Sequence, residues 1–370
     1  MANRIIISGG GTGGHTFPAI AIADAIKEKE PETEILFVGA KGKMEMEKVP
    51  KAGYPIKGLW ISGFHRKLTL RNLMFPLKLL TSMLKAWSII RDFRPDAAVG
   101  VGGFASGPVL DVASRMGIPA LIQEQNSYAG ATNRILSGKV NRICVAYDHM
   151  ERYFPADKLV LTGNPVRKDM LREQPSREEG AAHFGFNPNQ PILFIFGGSL
   201  GAKSINEAMA ANSAILADKP EIQVLWQMGS LYVEDFGDCA TAQLENVRAE
   251  AFIDRMDMAY AMADLVICRA GALTISELAQ LGQPAMLIPS PNVAEDHQTK
   301  NAMALVEKNA GVLLPDPEAK ERIITRAMSL LAQPETLEQL GKNIRTMARP
   351  DAAARIAAEV LQLIEKKGGR

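Results

Sequence analysis

The sequence predicts an α/β protein of two Rossmann-like domains whose parallel sheets face each other across a cleft. Three observations carry this prediction. Short apolar strand candidates alternate with longer helical stretches along the whole chain, the pattern of parallel sheets covered on both faces. Twice, a run of buried-strand character breaks into a Gly-Gly loop and opens a helix, first over residues 4–15 and again over 191–202. Finally, 370 residues, 47% hydrophobic and 22% charged, are too many for one ordinary core and too apolar for disorder.

In chain order, the first strand (4–8) runs into Gly9, Gly10, Gly11, Thr12, Gly13, Gly14 and His15. A helix over 18–29 follows, with Ala19, Ile22, Ala23 and Ile26 on one face. Strand, glycine loop and helix together present backbone N–H groups to an anion, and His15 is placed to touch what the loop holds. Strands at 34–38, 97–101, 120–122 and 142–145 complete the first domain, with a second glycine loop at 100–108. The pattern restarts at 191–196, ends in Gly197, Gly198, Ser199, Leu200, Gly201 and Ala202, and continues through strands near 223–226, 247–249, 265–268, 285–288 and 312–314. A glycine and a proline in Gly163-Asn164-Pro165-Val166-Arg167 mark the boundary, giving domains 1–164 and 165–349. Past Pro350, Asp351 can cap a closing helix (350–370) with Ile356, Val360, Leu361 and Ile364 on its apolar side. That helix is expected to pack back on the first domain.

A net charge of +1 gives no reason to expect a nucleic-acid partner. Three scattered cysteines, Cys144, Cys239 and Cys268, without a Cys-x-x-Cys pair, read as reduced and cytosolic, with no disulfide and no zinc. The N-terminus enters a strand directly, without a signal sequence, and no apolar run reaches the roughly 20 residues that span a bilayer. A cytoplasmic protein with at most peripheral membrane contact is expected. One region breaks the composition: residues 48–91 hold nine Lys or Arg and no acid. Leu73, Leu77, Leu80, Leu84 and Trp87 fall there at helical spacing, and the plain reading is a buried core stripe with cations on the solvated face. The loop 60–70, with Trp60, Phe64, Arg66, Lys67, Leu68 and Leu70, has neither helical nor strand period and reads as contact with an anionic lipid surface.

A dinucleotide site needs an acid at the end of the second strand to hold the ribose diol, and here that strand ends in Gly39-Ala40-Lys41, so a dehydrogenase is disfavoured. After the strand 265–268, Gly271 and Ala272 open a helix whose amides can point at a diphosphate. Glu277, one to two turns on, can take both hydroxyls of a ribose; the plain alternative is a helix start with a surface glutamate. Glu295 to Ala302 is densely polar, and Gln298 either reads sugar hydroxyls or belongs to a solvated helix start. Gln123, Glu124, Gln125 and Asn126 follow a strand at its carboxyl end, where open α/β sheets bind ligands.

These motifs, together with Pro18-Ala19, Phe252-Ile253-Asp254 with Met256, and Gly163 to Arg167, resemble in order one family over essentially the whole chain. It is the bacterial family of UDP-N-acetylglucosamine: lipid I N-acetylglucosaminyltransferases, which make lipid II for peptidoglycan. The resemblance implies a GT-B fold, peripheral attachment to the inner face of the cytoplasmic membrane and an inverting transfer that forms a β-1,4 linkage. It implies that the Ile253 backbone reads uracil, Glu277 holds the ribose, and Ser199 with Gly271, Ala272, Leu273 and Thr274 holds the diphosphate, with Arg167 nearby and Ile275 and Ser276 in the same UDP-N-acetylglucosamine site. Gln298 and Asn126 would contact the N-acetylglucosamine, and Thr12, Gly13 and Gly14 would close over it. The acceptor pyrophosphate would lie near Gly10, Gly11, Gly103 and Ser106. The chain departs from the family pattern at Gln123, where members often carry His, and at Thr299, where some carry Gln.

For the chemistry, His15 is the first candidate general base and Glu124 the second, since a positioned base assists an alcohol nucleophile by roughly 10²–10⁴-fold. No cofactor is expected. The chain has no Asp-x-Asp pair, so helix amides with Ser199 and Thr274 are expected to stabilise the leaving diphosphate, and a divalent cation can stimulate without a dedicated site. Expected partners are UDP-N-acetylglucosamine, lipid I, an anionic membrane surface and other cell-wall synthesis proteins. The rival readings are a UDP-N-acetylglucosamine 2-epimerase and a nucleotide-sugar sensor without turnover.

Overall fold

The structure, a computed structural model, describes residues 2–63, 74–166, 170 and 174–368. Among the sequence candidates, Arg167 and the lipid-contact residues Phe64, Arg66, Lys67, Leu68 and Leu70, with Leu73 of the leucine stripe, lie outside the described residues. The chain divides into two compact units: Met1–Arg167 with Arg349–Arg370, and Lys168–Ala348.

The first unit is built on a seven-stranded sheet of order β3-β2-β1-β4-β5-β6-β7. Its strands are β1 (Arg4–Ser8), β2 (Glu34–Ala40), β3 (Ile56–Leu59), β4 (Ala97–Gly100), β5 (Ala120–Glu124), β6 (Arg142–Val145) and β7 (Leu159–Leu161). Every pairing is parallel, with Ile5 opposite Ile35 on one side and Ala97 on the other. Helices α1 (Gly13–Lys29), α2 (Glu45–Lys51), α3 (Phe75–Phe93), α4 (Ser106–Arg115) and α5 (Ala131–Leu136) connect them. β1 and β4 are wholly or almost wholly buried, as strands covered on both faces must be.

The second unit repeats the plan with six parallel strands, order β10-β9-β8-β11-β12-β13. They are β8 (Ile192–Phe196), β9 (Gln223–Gln227), β10 (Val247–Glu250), β11 (Leu265–Cys268), β12 (Ala285–Leu287) and β13 (Val312–Leu313). The helices are α6 (Arg177–Phe184), α7 (Lys203–Ala211), α8 (Ser213–Ala217), α9 (Val233–Phe236), α10 (Met256–Met262), α11 (Ala272–Leu281), α12 (His297–Val306), α13 (Ala319–Leu331) and α14 (Pro334–Arg345). Alternation along β8 sends Phe194 and Phe196 into one core with Tyr260, and Leu193 and Ile195 into another with Trp226. The last helix, α15 (Ala352–Gly368), returns to the first unit. Its Ile356, Ala357 and Val360 pack with Ile22 and Ile26 of α1 against β1 and β4.

Three expectations are corrected. Helix α1 starts at Gly13, not Pro18, so Gly13, Gly14 and His15 form its first turn, closed by the His15 and Thr16 amides donating to the Thr12 carbonyl. Edge strands β3 and β7 were not expected; both are short, and neither is fully buried. The third concerns the leucine stripe. Leu77, Leu80, Leu84 and Trp87 of α3 are 44–62% exposed, while Ser82, Ala86, Ile89 and Ile90 are buried. The two sets lie on opposite sides of a helix with about 3.6 residues per turn. Helical spacing identified an apolar face, but α3 has two, and the smaller side chains won the packed one.

Candidate active site

In both sheets the strand order reverses at one place, between β1 and β4 and between β8 and β11. Ligands of open α/β sheets bind at the carboxyl ends of strands at such a switch point. The glycine loops singled out in the sequence leave the sheet at these two places.

In the first unit the loops after β1 and β4 touch. Gly103, at φ +82°, lies so close that a Cβ would come within 2.2 Å of the Gly10 carbonyl oxygen, so only glycine fits. The His15 ring lies over Gly102, where a Cβ would come within 2.9 Å of Nε2, and its Nδ1 is 3.2 Å from the Thr12 hydroxyl. Thr12 and Gly14 are exposed and His15 half-buried. Of the groups expected at the acceptor pyrophosphate, two already have internal partners. The Gly11 N–H donates to Glu45 Oε2 at 2.8 Å, and the buried Ser106 hydroxyl sits 2.8 Å from the carbonyl oxygens of both Ser8 and Gly102.

Glu124, at the end of β5, is 1% exposed. Its Oε1 accepts from the Asn126 amide (3.1 Å) and side chain (3.2 Å), and its Oε2 from Gly130 N–H (3.0 Å) and Asn133 Nδ2 (2.8 Å). Burial pushes its pKa up, against the pull of those donors. Through these four bonds Glu124 fastens the 126–130 loop to the first turn of α5. Gln123, at the position where the family often carries His, is fully buried and donates to Asn164, whose own amide donates to the Gln125 carbonyl. That departure is absorbed in a closed amide network.

In the second unit a cleft of ≈ 530 Å³ opens at the carboxyl ends of β8 and β11. The Gly197-Gly198 loop, Lys203 at the start of α7, Gly271 and Thr274 at the start of α11, and Gln298 line it. Both helix N-termini thus border one concavity, the arrangement that suits a diphosphate. Ser199 is exposed on the adjoining loop. Gln298 Oε1 accepts from the Ser290 N–H at 2.8 Å, which fixes the side-chain amide at the rim. Thr299, the other departure, turns to Asp296 at 2.7 Å. Glu277 lies one turn beyond Thr274 on α11 and accepts from the Tyr260 hydroxyl at 3.4 Å. The Ile253 N–H donates to Gln227 Oε1 at 2.9 Å.

Sequence reasoning missed the groups that hold this cleft in shape. Gln227, ending β9, joins the Ile253 loop to the Gly198 carbonyl through its two amide atoms. Arg269 donates to the carbonyls of Ile288 and Pro289, to Ser204 and to Asp316, with both ionic side chains about 15% exposed (14% and 16%). Its charge is therefore neutralised inside the unit. A polar residue ending a strand was the available signal for Gln227; nothing in sequence linked Asp316 to Arg269, 47 residues earlier. Among the described residues no group of three His, Cys, Asp or Glu gathers as a metal site would.

Comparison with known proteins decides the family. The Glycosyltransferase family 28 N-terminal domain matches residues 5–145 and the family 28 C-terminal domain residues 192–356. The chain belongs to glycosyltransferase family 28. Within it, the UDP-N-acetylglucosamine–N-acetylmuramyl-(pentapeptide) pyrophosphoryl-undecaprenol N-acetylglucosamine transferase of Cytophaga hutchinsonii is 54% identical over 361 residues, covering 98% of this chain and 97% of that protein. The crystal structure of MurG from Acinetobacter baumannii superposes with a TM-score of 0.79 at 28% identity, covering 97% and 99% of the two chains. The UDP-GlcNAc 2-epimerase from Neisseria meningitidis, bound to UDP-GlcNAc, aligns with a TM-score of 0.67 at 14% identity over 98% and 100%, a likeness of fold alone. This family 28 chain is thus one of the MurG group, with its predicted two-sheet α/β class in place.

Proposed function

We propose that this hexosyltransferase moves N-acetylglucosamine from UDP-N-acetylglucosamine to the C4 hydroxyl of the N-acetylmuramyl sugar of lipid I, with inversion, to give lipid II. The observation that carries the reading is the 54% identity, over 98% of the chain, to a protein named for that transfer. The two switch-point loop pairs support it. In the second unit the nucleotide diphosphate lies against the N-termini of α7 and α11, with Thr274, Ser199 and Lys203 beside it and Glu277 on the ribose. These groups stabilise the charge that develops on departing UDP. Gln298 reads the sugar. The first unit presents the acceptor: His15 takes the proton of the attacking hydroxyl as the bond to the anomeric carbon forms and the bond to UDP breaks.

No resident cofactor is proposed, and a divalent cation acts at most as a stimulant. The transfer takes place at the cytoplasmic face of the membrane, where a polyprenyl-linked acceptor and a cytosolic sugar nucleotide meet. No helix among the described residues is long and apolar enough to cross a membrane, and the exposed leucines of α3 with the surrounding cations are the proposed contact.

Incubation with UDP-N-acetylglucosamine labelled in the sugar and a short-chain lipid I analogue tests the reading. Labelled disaccharide lipid is expected. Labelled free N-acetylmannosamine would assign the chain to the epimerases instead, and intact donor after long incubation would make it a sensor.

A further inference from the structure

A carboxylate occupies the place where the first glycine loop would otherwise offer an amide to an anion. Glu45, the first residue of α2, is 1% exposed. Its Oε2 accepts from Gly11 N–H at 2.8 Å and its Oε1 from Ala40 N–H at 2.9 Å. No Lys, Arg or His pairs with it among the described residues. The side chain threads between two glycines: a Cβ on Gly10 would come within 2.2 Å of Cδ, and one on Gly39 within 2.5 Å of Cγ. Gly10 is held there at φ +144°. A charge buried without a counter-cation is tolerable only where fixed N–H dipoles replace water, so the carboxylate and the loop hold each other in place.

The loop so held leads directly to the chemistry. Gly11 precedes Thr12, the N-cap of α1, and His15 lies in the turn that follows. Gly10 is also where the second glycine loop makes contact, through Gly103. One carboxylate therefore fixes the junction of both loops from below.

We infer that Glu45 is a built-in anion and a positioning residue, acting through Gly11 to set Thr12 and His15 for transfer. The inference rests on the transferase reading. It also moves the acceptor pyrophosphate off the Gly11 amide, which is already committed within the chain.

The test uses the full-length protein and the variants Glu45→Gln and Glu45→Ala. In Glu45→Gln one acceptor oxygen becomes an NH₂ group facing an N–H donor. Hydrogen exchange of the 9–15 segment should quicken, and kcat at saturating substrates should fall, each by about tenfold or more for a lost charge-assisted hydrogen bond. The KM for UDP-N-acetylglucosamine should stay within about twofold, because the donor cleft lies in the other unit and a tenfold change would signal a lost donor contact. Formate, but not chloride, should restore turnover to Glu45→Ala by refilling the emptied slot with a carboxylate that can accept from Gly11 and Ala40. Wild-type exchange or wild-type kcat in Glu45→Gln would overturn the inference, as would the absence of formate rescue in folded Glu45→Ala. Should Glu45→Gln not fold, Glu45→Asp, with the charge retained one methylene short, is read by the same exchange and kcat measurements. If the wild type itself makes no disaccharide lipid, the transferase reading fails while the exchange measurement still decides whether Glu45 holds the loop.

Discussion

Replacing His15 by Ala removes the imidazole that rests on Gly102 and beside Thr12. Turnover should fall by roughly 10²–10⁴-fold, with the KM for the sugar nucleotide little changed, because a base assists only the chemical step. Near wild-type turnover with both substrates saturating would remove His15 from the base role. Glu277→Ala separates cleanly from it: losing hydrogen bonds between a carboxylate and the ribose should raise the donor KM by about tenfold or more. An unchanged KM would sink the ribose assignment. The helix start at Gly271–Glu277 was legible in sequence because its signal is local: a strand ends, small residues open a helix, and an acid follows. Glu124 was legible as an acid at a strand end but not as a clamp. Its donors Asn126, Gly130 and Asn133 come from a loop and the first turn of α5, whose return path no short-range pattern encodes. Glu45 was invisible for the same reason, since its partners Gly11 and Ala40 are brought to it by the pairing of β1 with β2.

Strands and helices carry a different kind of legibility. The central strands were read from their apolar runs alone, because burial on both faces demands such runs. The edges were not: β3 contains Lys57 and Gly58, and β7 is three residues long. Helix α15 shows what an element contributes energetically. Ile356, fully buried against α1 and β4, should cost about 2–5 kcal/mol when cut to Ala, lowering the melting temperature while leaving UDP affinity unchanged. A variant as stable as wild type would mean that α15 is dispensable to the first unit's core. Two central strands also carry the buried thiols Cys144 and Cys268. Burial pushes the Cys144 thiol from 9.0 up to about 12 and raises Cys268 as well, with Glu277 adding to the latter shift. A folded-state pKa above the unfolded one contributes stability that is complete below pH 9.0 and is lost as pH climbs towards 12. At pH 8 a disulfide exchange reagent should therefore react in the native state only with the half-buried Cys239, and with all three cysteines after denaturation. Rapid native reaction at Cys144 or Cys268 would contradict the burial of those strands.

For the molecule as a whole, the two-fold recurrence of a parallel α/β unit was legible because each half repeats the same run-loop-helix signal, whereas the strand order was not. The use of the apolar surface was not, because periodicity cannot tell a packed face from a presented one. A net charge of +1 hides a strong local asymmetry: residues 48–91 carry nine cations and no acid. Within this stretch Lys78 stacks over Trp60 at 5.6 Å, its Nζ donating to Ser62 at 2.9 Å, and Arg91 lies over Trp87 at 4.6 Å, so cations and exposed rings share one surface. Beside them Leu77, Leu80 and Leu84 stand in water at 48%, 59% and 62% exposure. Neither component suffices alone. Each near-surface cation contributes ~1 kcal/mol toward an anionic leaflet, and that attraction fades as salt shortens the screening length from about 10 Å at 0.1 M to about 3 Å at 1 M. The leucines supply an apolar part, ~25 cal/mol per Å² buried, that salt leaves in place. Sedimentation with phosphatidylglycerol vesicles should therefore show strong binding at low salt, a residual fraction at high salt, and little binding to phosphatidylcholine. Leu80→Gln with Leu84→Gln should abolish the salt-resistant fraction and spare the salt-sensitive one. Loss of both fractions together would mean that the leucines hold α3 in place rather than entering lipid. No change in either would remove α3 from the membrane contact.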